Sequence, residues 1–488
     1  MFSNKKRKLN IYLIGIKGVG MTMLAQFLKA KGHNVSGSDI TDSFLTDTVL
    51  QDSQIPVYTP FAVKNLPKKI DLIIYSSAFN SKNNPELAFV FKNKIYIAVP
   101  KLTYAEALGE IFNQHQGIAV CGSHGKTTTS AWLGYVLERA QKKPNVLVGS
   151  RVPQFKGSSL VGAAKIFVAE VDEYQNKLQY FNPQGVLLNN IDYDHPDYFK
   201  TEADYLQVFI DFVKKIPRSG FLIINHRDNS SARLIKACSA RVATYDVADE
   251  GYSGETVNYL AHDIKIKNAC QIFKINNLGE FKIRLWGRHS IFNALAVVAA
   301  ARELGVSLKA IKTHLFGFKG TERRAQVLGK YKGALVIDDY AHHPTEIKST
   351  LEGIKAFYPK KHLRVIFHPH TFTRTKALFS QFVTSFSLAD ELVILDIYGS
   401  AREKQGGVSS QQLVAAIKKY NQSQKIKQAV SHIADFKAVA THLRATIKKD
   451  EIILLMGAGD VFRVGEYLLR TKKQTKKRTK NYDKNRKK

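Results

Sequence analysis

Residues 118–130 read IAVCGSHGKTTTS, and no other stretch restricts the possible fold so strongly. An apolar run, Ile118 to Cys121, empties into a turn bracketed by Gly122 and Gly125, and Lys126 with Thr127 and Thr128 opens a helix. Glycines leave such a turn open, so that successive backbone N–H groups, here of Ser123 and His124 among others, can face one anion. Lys126 is placed to reach the β- and γ-phosphates of a nucleotide, Thr127 to offer a hydroxyl to Mg²⁺, and the helix to aim its positive end at the same charge. The spacing departs from G-x-x-x-x-G-K-[ST], because residue 120 is valine and the first glycine is Gly122. The competing reading is a plain glycine turn before a helix that happens to start with threonines.

A strand–turn–helix of this kind belongs in an α/β fold. At 488 residues the chain has room for about three such domains. No apolar run approaches the roughly 20 residues that span a bilayer, and MFSNKKRKLN lacks the apolar core of a secretory signal, so a cytoplasmic location without membrane insertion is expected. Cys121, Cys238 and Cys270 have neither paired nor metal-ligand spacing, which argues against a disulfide framework. The net charge is +32, and the segment 470–488 supplies eleven Lys/Arg against the single acid Asp483. That composition predicts a disordered tail over 471–488, able to contact anionic surfaces. No aromatic-interleaved motif beside it points to a specific nucleic acid.

Ahead of the phosphate loop, LNIYLIG (9–15) reads as a buried strand entering a second glycine turn, with Gly15, Gly18, Val19 and Gly20 before an apolar-periodic helix. It is close to a dinucleotide fingerprint, but Lys17 stands at the middle glycine, where a side chain should impede approach to a pyrophosphate. A second strand ends at Asp39, the usual neighbourhood of an acid that touches a ribose. Strands are expected at Asp71 to Tyr75 and Ile95 to Ala98, and a helix over 101–116, with a first boundary near 103. Beyond the loop, KIFVAEVDEY ends in Glu170, Asp172 and Glu173, and GVLLNNIDYDHPDYF releases Asp192, Asp194, His195 and Asp197. Carboxylates leaving two strands beside a phosphate loop suit a hard cation such as Mg²⁺. Residues 255–286 alternate and predict antiparallel strands, an insertion apart from the parallel sheet. An alanine-rich helix follows, entered through His289, Ser290 and Asn293.

A third α/β unit spans about 320 to 470. Its strands end in ALVIDD before YAHHPTE, LRVIF before HPHTFTR, ELVILD before IYGSARE, and EIILLM before GAGD. Ligands in open α/β sheets sit outside the carboxyl ends of strands, so these ends predict one crevice holding His342, His343, His368 and His370.

GSHGKTTT, AEVDEY, NNIDYDHPDYF, GRHSIFN, FKGTERR, DDYAHHPTEI, FHPHTFTRT and GAGD, in this order, resemble the Mur ligases. The resemblance implies a Rossmann-like domain for a UDP-sugar (1–103), a central P-loop ATPase domain (104–318) and a Rossmann-like C-terminal domain that admits the amino acid (319–470). It implies ATP-dependent joining of L-alanine to UDP-N-acetylmuramate through an acyl phosphate, in peptidoglycan precursor synthesis. Carried over position by position, Thr127, Glu173 and His195 would hold Mg²⁺. Asn293 would contact adenine, and Arg324 and Asp339 the ATP phosphates and ribose. Tyr340, His342, His370 and Arg374 would line the amino-acid and sugar pocket. Gly15 to Gly20, Asp39, Ser76 and Ser77 would cradle the uridine diphosphate. Lys17, Ser290 and Thr371 depart from the family pattern, and EVDEYQ stands where EADESD is usual. The last departure leans toward the sister enzyme that attaches a ready-made tripeptide to the same UDP-sugar. A basic P-loop nucleic-acid ATPase and a non-catalytic UDP-sugar-binding protein are the readings from other classes.

Overall fold

The computed structural model describes residues 7–249, 256–399, 403 and 405–469. The expected disordered tail and part of IYGSARE lie outside them. The chain forms two compact units that part after Glu322, with Trp286–Arg288 belonging to the second.

The first unit contains two sheets. One joins β1 (Asn10–Ile14), β2 (Asn34–Ser38), β3 (Val57–Tyr58), β4 (Leu72–Tyr75) and β5 (Lys101–Thr103), all parallel, in the order β3-β2-β1-β4-β5. Its central strands are apolar on both faces because helices cover both, as a parallel sheet requires. Ile95–Ala98 is a correction to the sequence reading. These residues enter a helix, Lys94–Ile97, capped by the Asn93 side chain accepting from the Ile95 N–H at 3.0 Å. Ile95 and Ile97 are 76% and 62% exposed, so apolar composition there marks no buried strand. The fifth strand is Lys101–Thr103 instead, and the helix expected over 101–116 shortens to Tyr104–Phe112. A reciprocal cap between Thr103 and Glu106 fixes its start.

The second sheet holds β6 (Gln116–Cys121), β7 (Asn145–Val152), β8 (Gly157–Leu160), β9 (Ile166–Glu170), β10 (Gly185–Leu188), β11 (Phe221–Asn225), β12 (Arg241–Val247), β13 (Tyr259–Lys267), β14 (Cys270–Ile275) and β15 (Gly279–Ile283). Its order is β15-β14-β13-β12-β11-β10-β6-β9-β7-β8, which puts β6, and therefore the phosphate loop, between β10 and β9. The ribbon β13–β15 is antiparallel as the alternation predicted, but it is no separate insertion. Tyr245 to Val247 pair in parallel with Tyr259 to Ala261, so the ribbon continues the sheet and covers the edge that β12 would otherwise expose. The alanine-rich helix, Arg288–Glu303, is buried from Ala294 to Ala301, as a helix apolar on all sides must be.

One apolar cluster serves both sheets of this unit: Leu13, Phe27 and Leu72 lie in it with Phe112, Ala119, Phe167 and Val186. Phe167 on β9 meets the rings of Phe27 and Phe112 edge-on, at 5.4 and 6.0 Å between centroids.

The second unit is a sheet of β16 (Gln326–Tyr331), β17 (Ala334–Asp339), β18 (Leu363–Phe367), β19 (Glu391–Ile394), β20 (Ala429–His432) and β21 (Ile452–Met456), ordered β16-β17-β21-β18-β19-β20. All but the edge strand β16 run parallel. The last strand returns between β17 and β18, which creates a switch point where the loops after β17, β18 and β21 meet. β16 and β20 are additional to the four strands read from the sequence.

Candidate active site

At the carboxyl end of the first sheet, the Gly15 N–H donates to Ser38 O (2.9 Å) and the Ser76 N–H to Ile14 O (3.0 Å), so the turns after β1, β2 and β4 are laced together. Gly15 has φ +84°, and a Cβ there would lie 2.8 Å from the Phe79 ring; a Cβ on Gly20 would lie 2.9 Å from Tyr104. Gly18 caps the helix that Val19 begins, and Ser76 Oγ, beside Ser77, accepts from the Ala78 N–H at 3.3 Å. Lys17 does not obstruct the turn, contrary to the sequence expectation. Its ammonium swings away to donate to Ile40 O (3.0 Å) and Asp42 O (2.8 Å). The buried Asp39 carboxylate accepts from the backbone N–H groups of Lys17 (2.6 Å) and Ile40 (2.8 Å), and burial raises its pKa above the ordinary carboxylate range.

The turn after β6 has the glycine-bracketed strand–turn–helix form read from the sequence, but the Ser123 and His124 N–H groups do not face an open anion site as expected: both are drawn to Asn190, that of Ser123 to its O at 3.0 Å. Gly122 (φ +115°) passes so close to β10's exit that a Cβ would meet Asn190 O at 2.6 Å. Gly125 (φ +79°) caps the helix Lys126–Arg139 and lies between Asn189 and Asn293, whose side-chain atoms would come within 2.7 and 2.6 Å of a Cβ. The His124 N–H donates to Asn190 Oδ1 (2.8 Å), its ring pairs with Asp192 (3.0 Å), and Ser123 Oγ bonds Asp192 O (2.7 Å).

Charge is concentrated around Lys126. Its ammonium donates to Gly122 O (2.5 Å), Ser123 O (3.2 Å) and Glu173 Oε2 (3.2 Å). Burial alone would lower the pKa of this lysine, but the carboxylates of Glu173, Asp172 and Glu170 outweigh it and raise the value. Glu173, 1% exposed, also accepts from Tyr205 Oη at 3.0 Å and lies 3.8 Å from His195 Nε2. Ligand atoms of Asp172, Glu173 and His195 all fall within 4.8 Å of one another. Thr127 reaches a different acid: its hydroxyl donates to Glu170 Oε1 at 2.8 Å, while Glu170 Oε2 takes the Gly149 N–H at 2.6 Å. Thr128, like Thr127, is buried in the first turn of the same helix.

In the second unit, His342 and His370 come together with ring centroids 6.2 Å apart, flanked by Tyr340 on one side and Tyr398, stacked on His370 at 5.1 Å, on the other. His343 and His368 do not join them. His343 caps the helix Pro344–Phe357, and His368 is buried against Phe436 and Tyr398, which lowers its pKa to about 4. Arg324 lies over the Tyr340 ring at 4.9 Å and 3.8 Å from Glu346. Its neighbour Arg323 instead clamps the GAGD loop through the carbonyls of Gly457 (2.7 Å) and Gly459 (2.8 Å). Asp339 mirrors Asp39, accepting from the N–H groups of Ala325 (2.6 Å) and Ala341 (2.8 Å). Arg374 is buried and donates to His370 O at 3.4 Å. Thr371 holds φ +71°, a left-handed value that a β-branched residue rarely adopts.

Three family models tile this chain: the Mur ligase family catalytic domain over residues 10–116, the Mur ligase middle domain over 120–301, and the Mur ligase glutamate ligase domain over 323–459. A UDP-N-acetylmuramate–L-alanine ligase of Desulfitobacterium hafniense is 36% identical over 473 residues, covering 94% of this chain and 99% of its own. The chain belongs to the Mur ligase family. A Clostridium kluyveri relative of the same name is 37% identical over 479 residues, covering 96% of this chain and 98% of its own. The Mur ligase fold is borne out by a solved UDP-N-acetylmuramate–alanine ligase of Thermotoga maritima, with TM-score 0.77 at 23% identity over 94% of this chain and 98% of that one. A murein peptide ligase of Psychrobacter arcticus shares the fold at TM-score 0.69 and 24% identity, over the same 94% and 98%.

Within this Mur ligase frame, Glu170 is the residue that sequence reasoning passed over, though it was noted at the strand end. Alternation along β9 was the available signal: Val168 faces one side of the sheet, and Glu170, two residues on, shares its side. Asn189, which donates to His124 O and Thr129 Oγ1 (both 3.1 Å), was equally silent.

Proposed function

We propose that the protein is an ATP-dependent ligase that joins L-alanine to the carboxylate of UDP-N-acetylmuramate, in the synthesis of peptidoglycan precursors. The observation that carries this reading is the near full-length likeness to ligases named for that reaction, in a chain that keeps Lys126, Glu173 and His195 together beside the phosphate loop.

A carboxylate resists attack by an amine until one oxygen becomes a leaving group, and phosphorylation by ATP makes it one. Lys126 is charged and held at the mouth of the loop, positioned to neutralise a transferring phosphoryl group. The L-alanine amine then attacks the acyl phosphate, and the tetrahedral adduct collapses to amide and phosphate. Asp172, Glu173 and His195 fit a divalent cation, being mainly hard oxygen donors with ligand atoms within 4.8 Å of one another. Mg²⁺ bound there would supply charge neutralisation at the phosphates. Thr127 is assigned to the nucleotide side of that set, with Glu170 orienting its hydroxyl.

The remaining roles belong to the same proposal. Asn293, against Gly125, meets the adenine end of ATP; Arg324 and Asp339 serve its phosphates and ribose; Tyr340, His342, His370 and Arg374 line the amino-acid and sugar pocket. Gly15, Gly18, Val19, Gly20, Asp39, Ser76 and Ser77 hold the uridine diphosphate. A division into segments 1–103, 104–318 and 319–470 follows these roles. No helix among the described residues is long and apolar enough to cross a membrane, and a cytoplasmic site of action, where ATP and both substrates meet, is part of the proposal.

The test is a competition in one tube between L-alanine and the tripeptide L-alanyl-γ-D-glutamyl-meso-diaminopimelate, with UDP-N-acetylmuramate and Mg²⁺-ATP. Products are resolved by mass. An alanine adduct is expected; a tripeptide adduct without it would transfer the assignment to the recycling enzyme.

A further inference from the structure

Lys17 occupies a glycine position of the first turn, and its contacts converge on one stretch of chain. We infer that Lys17 is a positioning residue for the sugar-nucleotide end of the site, a strap that fixes residues 39–47 in their binding conformation. The inference rests on the ligase reading above.

The stretch that follows Asp39 has no core of its own: residues 41–45 are all exposed, Phe44 and Leu45 included. Such a segment is ordered by polar bonds or not at all, since no apolar burial offsets its conformational entropy. Lys17 supplies those bonds at both ends. Its N–H donates to Asp39 (2.6 Å), and its carbonyl accepts from Thr46 Oγ1 (2.6 Å). The ammonium donates to Ile40 O (3.0 Å) and Asp42 O (2.8 Å) and lies 3.6 Å from Asp47 Oδ1. Asp47 in turn accepts from the Phe44 N–H at 2.9 Å, and the Phe44 ring stands 5.8 Å from the same ammonium. The lysine is 7% exposed, so its stem is packed and its charge has one direction to go.

The main-chain bonds need only a backbone N–H and C=O at 17, which every residue but proline supplies, whereas the ammonium's bonds require this side chain. Without it, Ile40 and Asp42 lose their donor and residues 40–47 gain freedom that binding must remove. That cost falls on affinity for the ligand bordering the segment, not on phosphoryl transfer at Lys126.

The experiment uses full-length protein with Lys17→Gly, Lys17→Met, which keeps the stem without the charge, and Lys17→Arg, which keeps the charge. Amide hydrogen exchange over residues 39–47 is read without ligand; Kd for UDP-N-acetylmuramate is read by calorimetry; kcat and the KM values for UDP-N-acetylmuramate, ATP and L-alanine are read by coupled assay. Glycine and methionine should speed exchange in the segment and raise Kd and KM for the sugar nucleotide about tenfold, which corresponds to about 1.4 kcal/mol. Both should leave kcat and KM for ATP within about twofold, and arginine should restore most of the affinity. Unchanged exchange, unchanged Kd, or a fall in kcat with the sugar-nucleotide KM intact would overturn the strap. Wild-type protein that fails to bind UDP-N-acetylmuramate would overturn the ligase reading instead, and the exchange comparison would still decide whether Lys17 orders the segment.

Discussion

The first unit makes a strand–glycine turn–helix at Gly15–Gly20 and again at Gly122–Gly125, and these two turns are furnished differently. The first is ringed by hydroxyls, main-chain groups and one acid already engaged by two N–H donors. Its lysine points away from the turn. The second draws its lysine inward onto Glu173, with Asp172, Glu170 and His195 around it. Positive-φ glycines are therefore common to both turns, while a lysine gathered among carboxylates belongs to the second. Under the proposed function the first turn would hold the sugar nucleotide and the second would serve phosphoryl transfer, and the opposite directions of Lys17 and Lys126 fit that division.

The sharpest way to break this contrast is Lys126→Ala. Ligation should fall on the order of 10³-fold or more, several kcal/mol of lost transition-state stabilisation, while affinity for UDP-N-acetylmuramate stays unchanged by calorimetry. Full ATP-dependent turnover by this variant would end the distinction. A smaller, opposite effect is expected at the first turn. Gly15→Ala forces an L-residue into φ +84° with its Cβ 2.8 Å from Phe79. Affinity for the sugar nucleotide should weaken about tenfold, with a stability loss of roughly 1–2 kcal/mol read in urea, and KM for ATP should not move. A changed ATP KM would show that the two turns are not independent.

The mildest test is a pH comparison of wild type with Lys126→Met. Because the folded pKa of Lys126 is raised, the stabilisation from its carboxylate partners is fully present below the unfolded value, about 10.4, and is lost as pH rises through the higher folded value. The advantage of wild type over the variant should therefore shrink on the alkaline side, as pH rises through the folded value. An advantage that persists undiminished at high pH would mean that the ammonium is not held as the Glu173 contact implies.

Much of this site was legible because its chemistry is written in local spacing. The loop at 122–128 and the acids after β9 and β10 follow strands directly, so residue order alone places Lys126, Glu173 and His195 at one sheet edge. What the sequence concealed depends on side-chain direction or on pairing between distant segments. Lys17 looked obstructive because spacing gives its position but not the carbonyls of Ile40 and Asp42 that draw it aside. Of four clustered histidines, His342 and His370 meet, while His343 is spent on a helix cap and His368 on packing. Ile95–Ala98 has the composition of a strand but no neighbour to pair with, and the ribbon after β12 read as separate because local alternation says nothing about the parallel partner at its base.

The apolar cluster shared by the first two sheets has a consequence for how such a chain can be cut and recombined. Phe27 and Phe112 are covered by Phe167, which arrives only with β9, so a fragment ending before the phosphate loop would present both rings to water. The amino-terminal sheet is thus no interchangeable cassette: a graft that replaced it would have to bring a surface complementary to Phe167. The second unit has an interior of its own, with Ile337, Val365 and Leu454 in one cluster, which Trp286 joins from earlier in the chain, and Val336, Val393 and Leu455 in another. A crossover after Glu322 would part Trp286 from Phe357 and Tyr358, whose rings it meets at 5.8 and 5.5 Å, so that seam too must be matched on both sides.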